Sequence, residues 1–344
     1  TMSGGIAALV ATGAQDVHIV GDPQISFFRS NYKRHTNFSQ VRHRQVVQGN
    51  PSANGMSTVR FERKGDMLSY TYLTAKDGAA NEINVAQYID HVELYIGGQR
   101  VDDQDSVYSN TIWPQVEAST TNKAEQSATA QSHYPLHFFF CDNWAQALPL
   151  VALQYHDVEI RIYWSSTDPS SKIIECWSNF IYLDDAERGW FSSNPINMLV
   201  KQVQENTGSG EKTQEFSYNH PVAYIATQTG NPTNGTAASL PLTFKINGTD
   251  FGDAMEITPH YNEVPHFHHC VKSATNPPCF LMPFALNLGD LKQPSGSLNF
   301  SRLDNARLLI DATSDREFNA AKFYAVNYNV LRIENGLGGM LYSN

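Results

Sequence analysis

Charged side chains are scarce in this sequence, and basic ones are scarcer than acidic ones. Only 17% of the 344 residues are charged, and 24 Lys and Arg stand against 34 Asp and Glu, which gives a net charge of −10. A coat that wraps nucleic acid directly needs a basic surface to neutralise phosphates. The composition therefore predicts a protein that makes no direct contact with nucleic acid.

Cysteine is also rare, and its four positions follow no spacing typical of a disulfide framework or a zinc site. Free, buried thiols are expected. Enzyme motifs are missing as well, since the sequence contains no G-x-S-x-G, no H-E-x-x-H and no Walker loop. The carboxylates of Asp184, Asp185 and Glu187 cluster where the capping of a helix explains them. We expect no catalytic centre, no bound metal and no cofactor.

Long apolar runs are absent too. A helix that spans a bilayer needs about 18 to 20 apolar residues, and no segment approaches that length. Residues 4–14 are apolar, but they lack the basic leader of a secretory signal. We expect a soluble protein that is made in the cytosol.

Aromatic residues, in contrast, are plentiful, with 16 Tyr, 18 Phe and 5 Trp. Several short segments alternate apolar and polar residues with period two, which predicts half-buried strands. These segments occupy residues 92–96, 158–164, 242–246 and 324–330. Gly97-Gly98 follows the first of them and predicts a hairpin. The continuous apolar run Tyr134–Cys141 predicts a strand that is covered on both faces.

Helix signals are few. The clearest lies near Asp184–Phe191, where an Asp caps the first turn and Pro195 prevents continuation. Polar, turn-rich loops are predicted at residues 119–133, 204–213 and 227–239. Many short strands with little helix favour sandwiches, barrels or jelly rolls. A chain of this length favours two such domains, with a boundary near residue 188.

Four segments carry a family resemblance. Residues 4–38 contain GAQD, G-x-P-Q-I-x-F-F and Y-x-R-H-T-N-F, and residues 294–310 contain PSG-x-x-NFSR-x-D. Residues 180–191 and the tail 328–339 match in the same order. Together they resemble the double jelly-roll major capsid proteins of nucleocytoplasmic large DNA viruses. The chain is short for that family, and its loops, including residues 227–275, differ.

The resemblance implies an all-β fold of two tandem eight-stranded jelly rolls with short helices in the loops. It divides the chain into an N-terminal arm (1–24), a first jelly roll (25–187) and a second jelly roll (188–344). Ile25, Phe27 and Phe28 are then expected to begin the first sandwich and to anchor the arm that precedes them.

The same resemblance implies a structural protein of the virion capsid, assembled in the host cytoplasm. Three copies would form a pseudo-hexameric trimer that tiles the icosahedral shell of a large double-stranded DNA virus. The expected partners are further trimers in the lattice, penton and minor capsid proteins and, indirectly, the internal viral membrane.

Basic residues concentrate near the start of the chain. Residues 1–64 carry eight basic and three acidic residues, a net of +5, whereas the remainder carries 16 and 31, a net of −15. The candidates for contact with inner-face partners are Arg29, Lys33, Arg34, Arg42 and Arg44. A tract of this kind suits minor capsid proteins or anionic lipid beneath a shell. The alternative is an ordinary solvated face that forms salt bridges with the acidic remainder.

Three other groups are candidate sites. Asn299, Arg302 and Asp304 are dense enough to bond one another or a neighbouring subunit. The segment 260–279 contains four His and two Cys, but their spacing matches no known zinc site. We therefore expect a loop at a surface or trimer contact. The alternative is a metal site like that of the cupins. Of four N-x-S/T sequons, Asn234 lies in a polar loop and is the candidate for glycosylation.

Two other function classes stay open. One is a minor or penton-type jelly-roll capsid protein, which would be scarcer in virions and not trimeric. The other is a carbohydrate-binding β-sandwich, whose surface Trp and Tyr rings would stack on sugars.

Overall fold

The computed structural model describes residues 4–123, 132–234, 240–271, 278–290, 293–311 and 314–342. It divides into two compact units, an N-terminal unit (Thr1–Asn37) and a body (Phe38–Asn344).

The N-terminal unit contains two short helices, α1 (Gly4–Val10) and α2 (Val17–Val20), and none of its described residues is buried. Ile25, Phe27 and Phe28 are 68%, 89% and 98% exposed and lie outside any strand. The prediction that they begin the first sandwich is wrong, because the first strand starts only at Phe38. Helices this short are marginal without packing partners.

The first half of the body contains eleven strand segments within the described residues. They are β1 (Phe38–Gln45), β2 (Val47–Gln48), β3 (Met56–Arg60), β4 (Met67–Lys76), β5 (Glu82–Ile83), β6 (Ile89–Ile96), β7 (Gln99–Asp105), β8 (His133–Pro135), β9 (Leu148–Pro149), β10 (Val158–Trp164) and β11 (Ile173–Leu183). Sheet 1 has the order β1-β11-β4-β5, with β8 and β9 also paired to β4. Sheet 2 has the order β2-β3-β10-β6-β7.

The second half, over its described residues, repeats this plan. Its strands are β12 (Ile196–Thr207), β13 (Thr213–Phe216), β14 (Pro221–Thr227), β15 (Pro241–Ile246), β16 (Thr249–Asp250), β17 (Met255–Glu256), β18 (Phe280–Pro283), β19 (Leu298–Asn299), β20 (Ala306–Ile310), β21 (Lys322–Glu334) and β22 (Leu337–Met340). Sheet 3 has the order β12-β21-β14-β18, with β19 on β14 and β22 on β21. Sheet 4 has the order β13-β20-β15-β16, with β17 on β15.

The two halves share one topology. The central strands of sheet 3 repeat those of sheet 1, with β12, β21 and β14 in the places of β1, β11 and β4. Those of sheet 4 repeat sheet 2, with β13, β20, β15 and β16 in the places of β3, β10, β6 and β7. The short segments at the sheet edges differ between the two halves. In the described part of each half, three of the eleven segments are only two residues long, which leaves eight longer strands. The predicted all-β fold of two tandem eight-stranded jelly rolls is confirmed.

Helices occupy the connections. The body contains α3 (Trp113–Val116), α4 (Asp185–Ser193), α5 (Ile257–His260) and α6 (Glu263–His269), a π-helical turn (Tyr108–Ile112) and 3-10 turns at Ala86–Tyr88, Trp144–Gln146 and Phe300–Arg302. The helix predicted near residue 184 is confirmed as α4, since the Asp184 carboxylate accepts the Glu187 N–H at 3.0 Å. No helix within the described ranges combines the length and apolar character needed to cross a membrane.

Local sequence patterns predicted several strands correctly. β10 alternates buried and half-buried residues along its whole length. β6 and β7 form the predicted hairpin, in which Gly97 and Gly98 both adopt positive φ, at 58° and 81°. Positive φ at both central residues is what a tight hairpin turn with the twist of its strands requires.

The run Tyr134–Cys141 differs from the prediction. Only its first two residues belong to β8; Phe138 to Cys141 form a turn closed by the Cys141 N–H on the Phe138 carbonyl at 2.8 Å. Phe138, Phe139 and Phe140 are at most 1% exposed. The sequence therefore predicted the burial of this run correctly, but the predicted strand was wrong. A run of apolar residues indicates burial, and a tight turn can bury neighbouring rings in a core as well as a strand can.

The predicted loop at 204–213 is shorter than expected. Residues 204–207 continue β12, because the long strand β21 supplies backbone partners along the whole of β12. Of the other two predicted loops, residues 124–131 and 235–239 lie outside the described residues.

Three large hydrophobic clusters and one small one, around Met67, Ala147 and Ile181, lie in the described part of the body. One fills the first jelly roll and another fills the second. The third lies between the rolls and joins residues 108–118 to the outer face of sheet 3. For this reason β21 is buried on both faces: Phe323 and Ala325 face the core of the second roll, and Tyr324 and Val326 face the first roll.

Candidate assembly surfaces

A buried ionic cluster joins the two jelly rolls. Lys201 of β12 places its Nζ 2.7 Å from Glu117 and 2.5 Å from Asp142, both in the first roll. The side chains of Lys201 and Glu117 are only 9% and 3% exposed. Buried charges are tolerated when they are paired. The cluster therefore ties one strand of the second roll to two separate segments of the first.

Two tyrosines complete this cluster. Tyr108 and Tyr224 both donate their hydroxyls to Glu117 Oε1 at 2.5 Å. Burial, followed by the Glu117 charge, raises the pKa of both phenols. Burial works against the charge of Lys201, but the neighbouring carboxylates raise its pKa overall. Burial likewise opposes ionisation of Asp142, yet Lys201 holds the pKa of that carboxyl well below its usual range.

A second polar link lies beside the cluster. Asp102 of β7 is 4% exposed and accepts the Val203 N–H of β12 at 2.9 Å and Gln104 Nε2 at 2.7 Å. Burial raises the pKa of Asp102 to about 7, although these hydrogen bonds favour its charged form. Sequence reasoning missed both links, because partners that lie 59 to 101 residues apart leave no local pattern.

An open aromatic groove of about 710 Å³ crosses the outer face of sheet 1. We define the aromatic groove by Tyr70 and Tyr72 of β4, Trp177 of β11 and Trp144. Tyr70 meets Trp144 edge-on, with ring centroids 5.6 Å apart, and Trp144 is 58% exposed. Exposed aromatic rings in a concave face suit a sugar or an apolar protein surface.

The predicted basic contact residues fall into two groups. Arg29, Lys33 and Arg34 lie exposed in the N-terminal unit. Arg42 and Arg44 are exposed on β1, the edge strand of sheet 1. Arg42 lines the aromatic groove, and Arg44 forms a salt bridge with Glu175 at 2.9 Å. The tract is therefore divided between two compact units, and Arg44 is paired as the solvated-face alternative describes.

The motif residues Asn299, Arg302 and Asp304 are all exposed. The Asn299 side chain accepts the Ser301 N–H at 3.1 Å and caps a 3-10 turn. The Asp304 N–H donates to Asn247 Oδ1 at 2.8 Å. Within the described residues, no hydrogen bond or ion pair joins the three side chains to one another.

The two sequons in the loops of the second roll have different surroundings. Asn247 Oδ1 accepts the N–H groups of Asp304 and Asn305, which stabilises the turn after β15. Asn234 is exposed, and its Oδ1 accepts the Glu317 N–H at 3.0 Å. The residues that follow Asn234, 235–239, lie outside the described part of the chain.

Within the His-rich segment 260–279, residues 263–269 form helix α6 where a loop was predicted, because Asn262 caps its N-terminus and Pro265 suits a first turn. Residues 272–277 of this segment lie outside the described residues. His266 is 6% exposed, and its Nε2 lies 3.1 Å from the Cys279 carbonyl oxygen and 3.4 Å from Cys279 Sγ. Burial lowers the pKa of His266 to about 4, so the ring is neutral at pH 7. All four cysteines are free thiols, as predicted, although Cys141 and Cys270 are only partly buried.

Among the described residues, one group has the spacing of metal ligands: His91, Glu93 and Asp103, whose ligand atoms lie within 4.8 Å of one another. Sequence reasoning missed this group. The signal was present, because His91 and Glu93 are two residues apart on one face of β6, and the predicted hairpin brings Asp103 opposite Glu93. Arg100 Nη1 already lies 3.1 Å from Glu93 and 3.3 Å from Asp103. A metal ion would have to displace that guanidinium, so we interpret the group as an ion-pair network and not as a metal site.

Comparison with known proteins places these surfaces in context. Two family profiles match consecutive halves of the chain: "Major capsid protein N-terminus" over residues 26–184 and "Large eukaryotic DNA virus major capsid protein" over residues 187–339. The major capsid protein of Pyramimonas orientalis virus is 32% identical, and that of Paramecium bursaria Chlorella virus 1 is 30% identical. Both alignments cover 100% of each chain.

Solved structures agree on the fold. The crystal structure of PBCV-1 VP54 is similar with a TM-score of 0.76 and 24% identity, covering 93% of this chain and 100% of that one. The Faustovirus major capsid protein is similar with a TM-score of 0.64 and 11% identity, over 96% of each chain. Two like jelly rolls, full-length relatives and both halves of the family profile agree, and the chain belongs to the major capsid proteins of large eukaryotic DNA viruses.

Proposed function

We propose that three copies of the chain form a closed, pseudo-hexameric trimer that tiles the icosahedral shell. The observation that carries this proposal is the repeated topology of the two rolls, together with the buried ionic cluster that locks them. Three copies of such a rigid pair present six similar units around one axis. Homo-oligomers favour closed symmetry of this kind.

Light scattering coupled to size-exclusion chromatography tests the proposal. Three copies of the 38.4 kDa chain give a mass of about 115 kDa. A trimer that survives dilution is the expected result. A stable monomer or pentamer would contradict it and would favour a minor or penton-type capsid protein.

We also propose that these trimers pack into a lattice, contact penton and minor capsid proteins, and through them face the internal viral membrane. The exposed side chains of Arg29, Lys33 and Arg34, in a unit whose described residues are all at least partly exposed, support such a contact. Reversal of all three charges is expected to abolish binding to minor capsid proteins or to anionic vesicles while trimers persist. Unchanged binding and unchanged lattice assembly would remove this role.

The same proposal assigns the chain a structural role without catalysis, in a capsid assembled in the host cytoplasm. It keeps the arm (1–24) and the two jelly-roll domains (25–187 and 188–344) as the domain organisation, with the first strand of the first domain at Phe38. The profile matches over residues 26–184 and 187–339 support the two jelly-roll domains. Asn234 is the proposed position for a glycan, since it is exposed. Intact mass of virion-derived protein tests that last assignment, because an unmodified mass would contradict it.

A further inference from the structure

The two rolls place a similar element at the same point of their topology. In the first roll the chain passes from β7 through residues 108–116 to β8, and in the second it passes from β17 through α5 and α6 to β18. The first element contains Trp113-Pro114-Gln115-Val116, and the second contains Val264-Pro265-His266-Phe267. Both prolines are buried, and both stand in the first turn of their helices.

The two elements differ in what covers them. In the first roll, Trp113 and Val116 are 3% and 1% exposed, because they pack in the cluster against the outer face of sheet 3. In the second roll, Val264 is 42% and Phe267 is 81% exposed. An apolar surface of this kind on an otherwise packed element indicates a contact site.

The sheet faces differ in the complementary way. On sheet 3, Tyr224 of β14 pairs with Val326 on one side and with Pro283 on the other, and its ring is fully buried beneath the first roll. The matching row of sheet 1 pairs Tyr72 of β4 with Trp177 and with Pro135. This second row lines the open aromatic groove. Among the described residues, the first roll therefore has an uncovered face where the second roll has a covered one.

We infer that α6 of one copy docks into the aromatic groove of a second copy of this chain, with Phe267 against Tyr72 and Trp177. Within one copy, residues 108–118 of the first roll pack on sheet 3 of the second roll. The proposed contact is the same packing made between two copies, with α6 of one on sheet 1 of the other. It rests on the proposed trimer and names the surfaces that close it. The two surfaces are different parts of the chain, so the contact is head-to-tail and a ring of three satisfies every copy.

Engineered cysteines test this contact directly. We combine Phe267→Cys with Tyr72→Cys in a Cys141→Ser background, since Cys141 also lines the groove. Mild oxidation is expected to give covalent dimers and trimers and nothing larger, because a head-to-tail ring of three closes on itself. Each single cysteine variant is the matched control and is expected to give none.

The outcomes separate the inference from the proposed function. A wild-type trimer without crosslinks in the double variant would overturn the inference and leave the trimer standing. Crosslinked products larger than three chains would overturn the closed ring. A wild-type monomer would overturn both. Binding of a glycan that is lost in Tyr72→Ala, without crosslinks, would assign the groove to a carbohydrate.

A charge placed in the contact gives an independent measurement. Phe267→Asp is expected to raise the concentration at which trimers dissociate at least about tenfold, as for a buried aromatic anchor at an interface. Phe251→Asp is the matched control, since Phe251 is 54% exposed in another loop of the same roll. Equal dissociation of both variants, with unchanged thermal melting of the monomers, would contradict the docking of α6.

Discussion

The first and second jelly rolls of this chain have the same strand order but opposite surroundings. The outer face of sheet 3 is sealed by residues 108–118 of the first roll, with Tyr224 fully buried. The equivalent face of sheet 1 is open, and Tyr72 lines a groove there. The same backbone plan thus produces an internal interface in one roll and a free surface in the other. The difference lies in what packs on the sheet, not in how the sheet is built.

The largest expected effect comes from breaking the ionic cluster that holds the rolls together. Lys201→Met leaves the buried Glu117 and the half-buried Asp142 without their cation, so the free energy of unfolding is expected to fall by about 3–5 kcal/mol. Chemical denaturation measures this loss. The control is Lys245→Met, which removes an exposed pair with Asp250 and is expected to cost less than about 1 kcal/mol. Equal losses in both variants would contradict a special role of the cluster.

A matched pair of tyrosines compares the sealed face with the open one. Tyr224→Phe removes a buried hydrogen bond to the Glu117 carboxylate and is expected to destabilise the chain by about 1.5–3 kcal/mol. Tyr72→Phe on the open face is expected to change the stability of the monomer by less than about 0.5 kcal/mol. Denaturant titration of both variants measures the difference. Similar losses would show that the two faces are equally packed.

The buried Asp102 makes the link between β7 and β12 sensitive to pH. Its pKa rises from 3.8 to about 7 on folding, so between those values the folded chain holds a proton that the unfolded chain lacks. Stability is therefore expected to fall as pH rises through this range, by up to about 1.4 kcal/mol per pH unit. Asp102→Asn keeps an acceptor for the Val203 N–H and is expected to remove this slope. Identical slopes in thermal melts of both proteins would rule out Asp102 as its source.

The smallest expected effect is on the stability of the isolated monomer when Phe267 is truncated, compared with its equivalent in the first roll, Val116. Val116→Ala leaves a cavity between the rolls and is expected to cost about 1–2 kcal/mol. Phe267→Ala removes a ring that is 81% exposed and is expected to change the stability by no more than about 0.5 kcal/mol. Thermal melting measures both changes at protein concentrations too low for trimers to form. A large loss in Phe267→Ala would mean that this ring belongs to the fold of its own roll.

Predictions from the sequence succeeded where a pattern is local. The alternation in β10, the Gly97-Gly98 hairpin and the cap at Asp184 each depend on neighbours within a few residues. They failed where distant partners decide. Phe138 to Cys141 turns within the core, and β12 extends to Thr207 because β21 pairs with it. Among the candidate sites, the Asn299 side chain caps a local turn, and the basic tract is divided between the two compact units. The assembly contacts proposed for both groups stay predictions.

The sequence by itself determined the class of the fold, the presence of two repeated domains and the family. Period-two alternation, turn residues and long ordered motifs are all encoded in short stretches of chain. Only the tertiary structure decided which sheet face is sealed and which is open. It also brought Glu117, Asp142 and Lys201 together. These residues are far apart in sequence, and a buried charge is stable only when it is paired with an opposite one. A periodic pattern marks an apolar face as buried, but only the packed chain shows what buries it.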